Sequence, residues 1–203
     1  MVVTVPYEQV GRVNQKARTR DALIAATREL LARGDAPTME GVADAAAISR
    51  TTAYRYFPNL RALLVAVYPH VDEQSLLGPD PPNDVTTRLQ MVANDQTRRI
   101  LKYEPEMRAV LRLSLEPQRT DDPQLPMNRG LRIGWIEDAL APLRGRMPER
   151  RFRRLVLGIG ATLGIEAFVW LNDIAGLSRE AAVAVMQENA AALLGSALDQ
   201  TAD

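Results

Sequence analysis

Two helix starts and one stop are crowded into "TMEGVADAAAISRTTAYRYFP", residues 38 to 58. Thr38 follows Pro37 and can accept a hydrogen bond from the free backbone N–H groups of a helix beginning at Met39. Ser49 can do the same for a second helix. Pro58 pushes the residue before it out of helical geometry and ends that second helix. Only two short helices fit between these marks, joined by a break around Ala47 and Ile48. Met39, Val42, Ala43 and Ala46 form the inner face of the first.

The rest of the chain reads as helix too, with no convincing strand alternation, so the fold class is all-α. Residues 1 to about 15 lack periodicity and read as a flexible arm. Thr19 can cap a first helix, and Gly34 sits where its end wants a left-handed residue. Asn59 can cap a helix carrying Leu60, Leu63, Leu64, Val67 and Tyr68, which Pro69 kinks or ends. "GPDPPND", residues 78 to 84, is a turn and a hinge candidate. Helices are then expected over about 84–103, 104–115, 127–143, 148–173 and 178–199, with "EPQRTDDPQLP" as a loop.

Winding residues 49 to 57 at the helical repeat puts Ala53 and Phe57 on one side, with Tyr56 beside them. Thr51 and Arg55 fall opposite, flanked by Thr52 and Tyr54. That outward set suits a DNA major groove. Arginine can pair bidentately with guanine, and threonine offers a hydroxyl or a methyl to a base edge. Ser and Tyr hydroxyls commonly bind phosphates, and Arg50 stands at the near edge of the helix. Arg12, Lys16, Arg18 and Arg20 add sequence-independent attraction. The whole chain has 25 Lys/Arg and 25 Asp/Glu, so net charge names no partner. Its distribution does more, because residues 1 to 70 hold nine Lys/Arg against six Asp/Glu.

At these residues the sequence resembles the tetracycline-repressor (TetR) family of bacterial transcription regulators. The resemblance covers about residues 18 to 66 and rests on Thr38, Val42-Ala43, Ala46, Ile48-Ser49, Tyr54, Tyr56-Phe57-Pro58-Asn59 and Leu63-Leu64. Three positions depart from the pattern. Ala47 stands where the family usually has a turn glycine, Leu60 where it has a phosphate-binding lysine, and Tyr56 where it often has histidine. The resemblance implies a three-helix helix-turn-helix DNA-binding domain over residues 16–66. It implies a larger helical ligand-binding and dimerisation domain over 67–203. It also implies a homodimer on double-stranded, palindromic DNA, acting as a repressor that a small apolar or amphipathic effector releases. Expected DNA contacts are Lys16, Arg18, Thr38, Ser49, Arg50, Thr51, Thr52, Tyr54, Arg55 and Tyr56. An effector would act by tilting the helix from Asn59 to Tyr68.

The rear of the chain offers candidates for the other two roles. Gly160 and Gly164 are four apart in "GIGATLGIEAF", where small residues let helices approach closely. The last helix carries Val185, Asn189 and Leu193 on one stripe. These five residues are the expected dimer interface. Met91, Asn94, Tyr103, Met107, Trp135, Glu166 and Trp170 are the ligand-pocket candidates. Most of these residue types at helical spacing simply fill cores. Glu166 lies inside the longest apolar run and needs a partner, either a nearby arginine or a site anchor.

Several classes are excluded or unsupported. There is no cysteine, hence no disulfide or thiolate metal site. His70 is the only histidine, so no metal centre, cofactor or catalytic constellation is expected, and an enzyme has nothing to argue for it. "GIGATLG" has the wrong spacing for a dinucleotide fingerprint. The apolar run 155–171 is shorter than the ~20 residues of a membrane span. No leader is evident, and a cytoplasmic location without membrane association is expected. The alternative is a helical small-molecule-binding or scaffolding protein that has lost DNA binding, which Leu60 keeps open.

Overall fold

The computed structural model describes residues 7–67, 75–116 and 131–200. Among them are ten α-helices and no strand. They are α1 Tyr7–Ala32, α2 Met39–Ala45, α3 Arg50–Tyr56, α4 Leu60–Val67, α5 Val85–Lys102 and α6 Glu104–Ser114. The chain continues with α7 Leu131–Ala139, α8 Glu149–Thr162, α9 Ile165–Val169 and α10 Arg179–Asp199. The all-α expectation holds. The contacts divide the chain into residues 1–69 with 108–125, and residues 70–107 with 126–203. Tyr68, Pro69 and His70 lie outside the described residues, as do the loop from 117 and the start of the helix expected from 127.

In the N-terminal unit, α1 buries Leu23, Ile24, Ala26 and Leu31. It begins at Tyr7, so residues 7 to 15 are helical where a non-periodic arm was expected. Thr19 accordingly caps nothing. Its hydroxyl donates to the Gln15 carbonyl at 3.0 Å inside the helix, the back-bond that lets threonine sit mid-helix. Gly34 ends α1 with φ +83°, while Asp35 N–H donates to the Leu30 carbonyl and Gly34 N–H to that of Leu31. Val42, Ala43, Ala53, Phe57, Leu63 and Leu64 are also buried in this core. Full burial of each large apolar side chain contributes about 1.5–3 kcal/mol. The Arg28 guanidinium donates to the Val67 carbonyl at 3.3 Å, satisfying a free group at the end of α4.

In the larger unit, Asp84 caps α5 by accepting from the Thr87 N–H at 2.8 Å. α5 buries Leu89, Val92, Ala93 and Ile100, and packs on α7 and α10. α10 starts at its cap Ser178 and buries Ala182, Met186, Ala190 and Leu194, packing on α5 and α8. Arginines close two helix ends. Buried Arg88 donates to the Ala139 and Asp138 carbonyls at the end of α7, at 3.1 and 2.7 Å. Arg151 donates to the Ala197 carbonyl at 3.0 Å, near the end of α10. Cations there suit the negative end of the helix dipole.

The long helix expected over 148–173 is broken. α8 stops at Thr162, α9 restarts at Ile165, and a π-helical turn runs from Trp170 to Ile174. The two pieces bend by 45°. Gly164 is extended there, at φ −104° and ψ 166°. In a continuous helix the Gly160 carbonyl would accept from the Gly164 N–H. Here it accepts instead from Arg132 Nη1 at 3.1 Å, and Arg132 also forks onto Glu166 with both contacts at 3.3 Å. A Cβ on Gly164 would collide with that ion pair.

Candidate nucleic-acid interface

The front helices form as the caps dictate. Thr38 Oγ1 accepts from the Gly41 N–H at 3.0 Å and Ser49 Oγ from the Thr52 N–H at 3.3 Å. Ser49 also donates to Thr52 Oγ1 at 3.0 Å. Between the helices, Ile48 N–H donates to the Ala43 carbonyl and Ala47 N–H to that of Asp44. This is the same paired closure seen at Gly34, but it requires a left-handed residue, and Ala47 supplies it at φ +53°. Asn59 Oδ1 accepts from the Ala62 N–H at 2.8 Å, setting the start of α4.

On α3, Ala53 is fully buried, and Phe57 closes the inner side just after the helix. Arg50, Thr51, Tyr54 and Arg55 are exposed, and Thr52 and Tyr56 are half-buried. Arg55 lies over the Tyr56 ring at 5.8 Å. Lys16 and Arg18 are exposed on α1 rather than on a loose arm. Arg20 stacks on Phe57 at 5.5 Å, so its stem belongs to this unit's packing. Leu60 carries no charge, and its neighbour Arg61 is only 8 % exposed, so Arg61 does not present a cation at the start of α4.

Sequence reasoning missed Glu40. It stands in the first turn of α2, and its Oε1 accepts from Arg50 Nη2 and, at 3.4 Å, from the Tyr54 hydroxyl. The Arg50 hydrogen bond, aided by Glu40's own backbone N–H, holds this carboxyl below its ordinary pKa. The signal was a carboxylate ten residues before Arg50, across a break whose geometry the sequence does not print.

The ligand-pocket candidates do not converge. Met91 and Trp170 face solvent, the latter 56 % exposed, while Trp135 is buried in the core under Arg99. Tyr103 and Met107 are half-buried around the start of α6. Glu166 is paired with Arg132. Asn94 alone of the seven lines a groove of about 360 Å³ between α5 and α10, with Leu89, Gln90, Ala93, Gln187 and Ala190.

The two glycines also differ from expectation. Gly160 is buried, a Cβ there lying 3.5 Å from Ile136 on α7, and Gly164 lies at the α8–α9 break. Both permit close approach inside the subunit, because α7 and Arg132 occupy the faces they open. Asn189 and Leu193 are exposed and Val185 half-buried. Leu157 on α8 is 46 % exposed and Leu193 on α10 38 %, and a Cβ on Gly158 would lie 3.8 Å from Leu193.

Residues 23–67, from the buried Leu23 of α1 to the end of α4, match the family model of bacterial regulatory proteins, tetR family. No curated protein matches the chain. The match spans the very helices that carry the capped pair, its inward core and the outward Arg/Thr/Tyr face, so over these residues the chain is similar to the DNA-binding domain of tetR-family bacterial regulators.

Proposed function

We propose that the chain is a ligand-responsive repressor that binds a palindromic operator as a homodimer. The observation that carries this reading is the face of α3. Thr51 and Arg55 point outward, unburied, from a helix whose other side is sealed by Ala53 and followed by buried Phe57. One such helix enters one major groove, and two of them read half-sites about 34–36 Å apart or a multiple of this. The exposed leucines Leu157 of α8 and Leu193 of α10 support a four-helix contact between subunits, since exposed apolar side chains gain by being covered. The α5–α10 groove is the proposed effector site, with Asn94 and Gln187 at its polar edge. In this reading residues 16–66 bind DNA and 67–203 bind effector and partner subunit. The effector must prefer the non-binding state, because equal affinity for both states shifts nothing.

The test is selection of bound duplexes from a random pool, followed by Arg55→Ala and Thr51→Ala. An enriched palindrome is expected, with each variant losing about 1–3 kcal/mol of discrimination at its own base pair. No enrichment by folded, dimeric protein would favour a helical small-molecule-binding protein without DNA function. The specific observation behind that second reading is the missing cation at Leu60, which buried Arg61 does not replace.

A further inference from the structure

The contacts of Glu40 reach beyond the arrangement of α3 itself. Two of the outward groups of the reading helix, Arg50 Nη2 and the Tyr54 hydroxyl, meet on one oxygen of this carboxylate. All three residues remain substantially solvent-exposed: Glu40 and Arg50 side chains at 42 % and 63 %, and Tyr54 at 43 %. A carboxylate in the first turn of α2 suits the positive end of that helix, but only weakly at an exposed position. A carboxylate on a surface meant for DNA repels phosphates within the ~8–10 Å over which salt leaves charges visible. The helix N-terminus and the pairing with Arg50 offset part of the cost of this charge in the free protein, and the rest falls on DNA binding.

We propose that Glu40 is a specificity-determining residue of the DNA interface, holding Arg50 and Tyr54 in register for base edges while opposing docking on phosphates alone. The inference rests on the DNA-reading assignment of α3. A guanidinium with Nη2 tied to a carboxylate keeps its other N–H donors for a base acceptor, and guanine O6/N7 is the acceptor pair arginine fits best. On the preferred sequence Arg50 spans Glu40 and the base, so the carboxylate stays neutralised. On other sequences the paired O6/N7 acceptors of guanine are absent there. Arg50 must then either remain on Glu40 or leave it facing phosphates unpaired. With the charge removed, Arg50 is free to swing to a phosphate, which strengthens binding that carries no sequence information.

The experiment uses the full-length chain and two duplexes, the sequence that wild type enriches and a scrambled one. Affinities are measured against salt for wild type, Glu40→Gln, Arg50→Ala and the double variant, with helicity checked by circular dichroism. Glu40→Gln should tighten the scrambled duplex about five- to tenfold and steepen its log–log salt slope by about 0.9, one added phosphate contact. The preferred duplex should not tighten, so the ratio between them falls by at least about five- to tenfold. In the Arg50→Ala background the same substitution should move that ratio by less than about twofold, since the group it positions is gone. Parallel changes on both duplexes, no change on either, or an undiminished effect without Arg50 would overturn the proposal. If wild type enriches a sequence and any of these occurs, the proposal alone fails. If wild type enriches none, the reading of α3 fails and takes the proposal with it.

Discussion

The chain turns sharply at two places within helical sequence, and it does so by opposite means. Between α2 and α3 the turn is made by its own residues. Ala47 goes left-handed, Ile48 and Ala47 amides close back on Ala43 and Asp44, and Ser49 caps the next helix. Between α8 and α9 none of these devices is present. Gly164 is extended with no side-chain cap, and the bend is held from outside by Arg132, which takes the Gly160 carbonyl and pairs with Glu166. The first turn is local chemistry and the second is tertiary chemistry. A functional helix that must be presented in one pose is served by the first kind, because its geometry does not depend on a distant partner.

The largest expected effect tests that dependence at the second bend. Arg132→Leu removes the donor on the Gly160 carbonyl and leaves Glu166 unpaired. The ion pair itself is discounted, since the Glu166 side chain is 44 % exposed. The part-buried carbonyl bond remains, and a hydrogen bond from a charged donor is worth about 1.5–3 kcal/mol. A loss of about 1.5 kcal/mol in denaturant unfolding is expected. With Gly164→Ala added, the freed carbonyl can accept from the residue 164 N–H. Amide exchange at that position should then slow as α8 and α9 merge. Unchanged stability together with unchanged exchange would mean that the bend is encoded within its own residues after all.

The smaller effect at the first turn is Ser49→Ala. It deletes an acceptor for the Thr52 N–H, and capping losses of this kind run at about 1 kcal/mol. Ser49→Asp should recover most of it, as aspartate caps equally well and suits the helix N-terminus. Thermal unfolding of the three proteins decides this. If Ser49→Ala costs nothing, the start of α3 is set by packing of Ala53 and Phe57 rather than by the cap, and the contrast between the two bends collapses.

The same division explains what the sequence could show. Thr38, Ser49 and Asn59 all cap the helices they were expected to cap, because a cap and its target N–H lie within three residues. Thr19 failed as a cap because helix can begin wherever the preceding chain is itself helical, and nothing in "YEQVGRVNQ" forbids that. The break at Gly164 was hidden because its cause, Arg132, lies 34 residues from Glu166. Gly160 was assigned to a subunit contact for the same reason: a small residue announces close approach but not by whom, and here it is Ile136. Glu40 escaped because its partners are on the next helix, and their meeting depends on the angle between α2 and α3.

The finest test compares the Ala47 turn with its twin at Gly34. Both close a helix with the same pair of amide-to-carbonyl bonds, and both need positive φ, +53° at Ala47 and +83° at Gly34. A Cβ in the left-handed region costs roughly 1–2 kcal/mol. Glycine avoids that cost but loses about 0.4–1 kcal/mol more chain entropy on folding. Ala47→Gly should therefore stabilise the protein by about 0.5–1 kcal/mol, and Gly34→Ala should destabilise it by a similar amount, since a Cβ at Gly34 meets no atom within 4 Å and only backbone strain is changed. Denaturant midpoints of the two variants give both signs in one experiment. Equal and opposite shifts would show that the turn before α3 carries ordinary left-handed strain and nothing more. If Ala47→Gly instead lowers stability, the alanine methyl must be contributing contacts that outweigh its backbone cost. The first turn would then depend on packing as the second does.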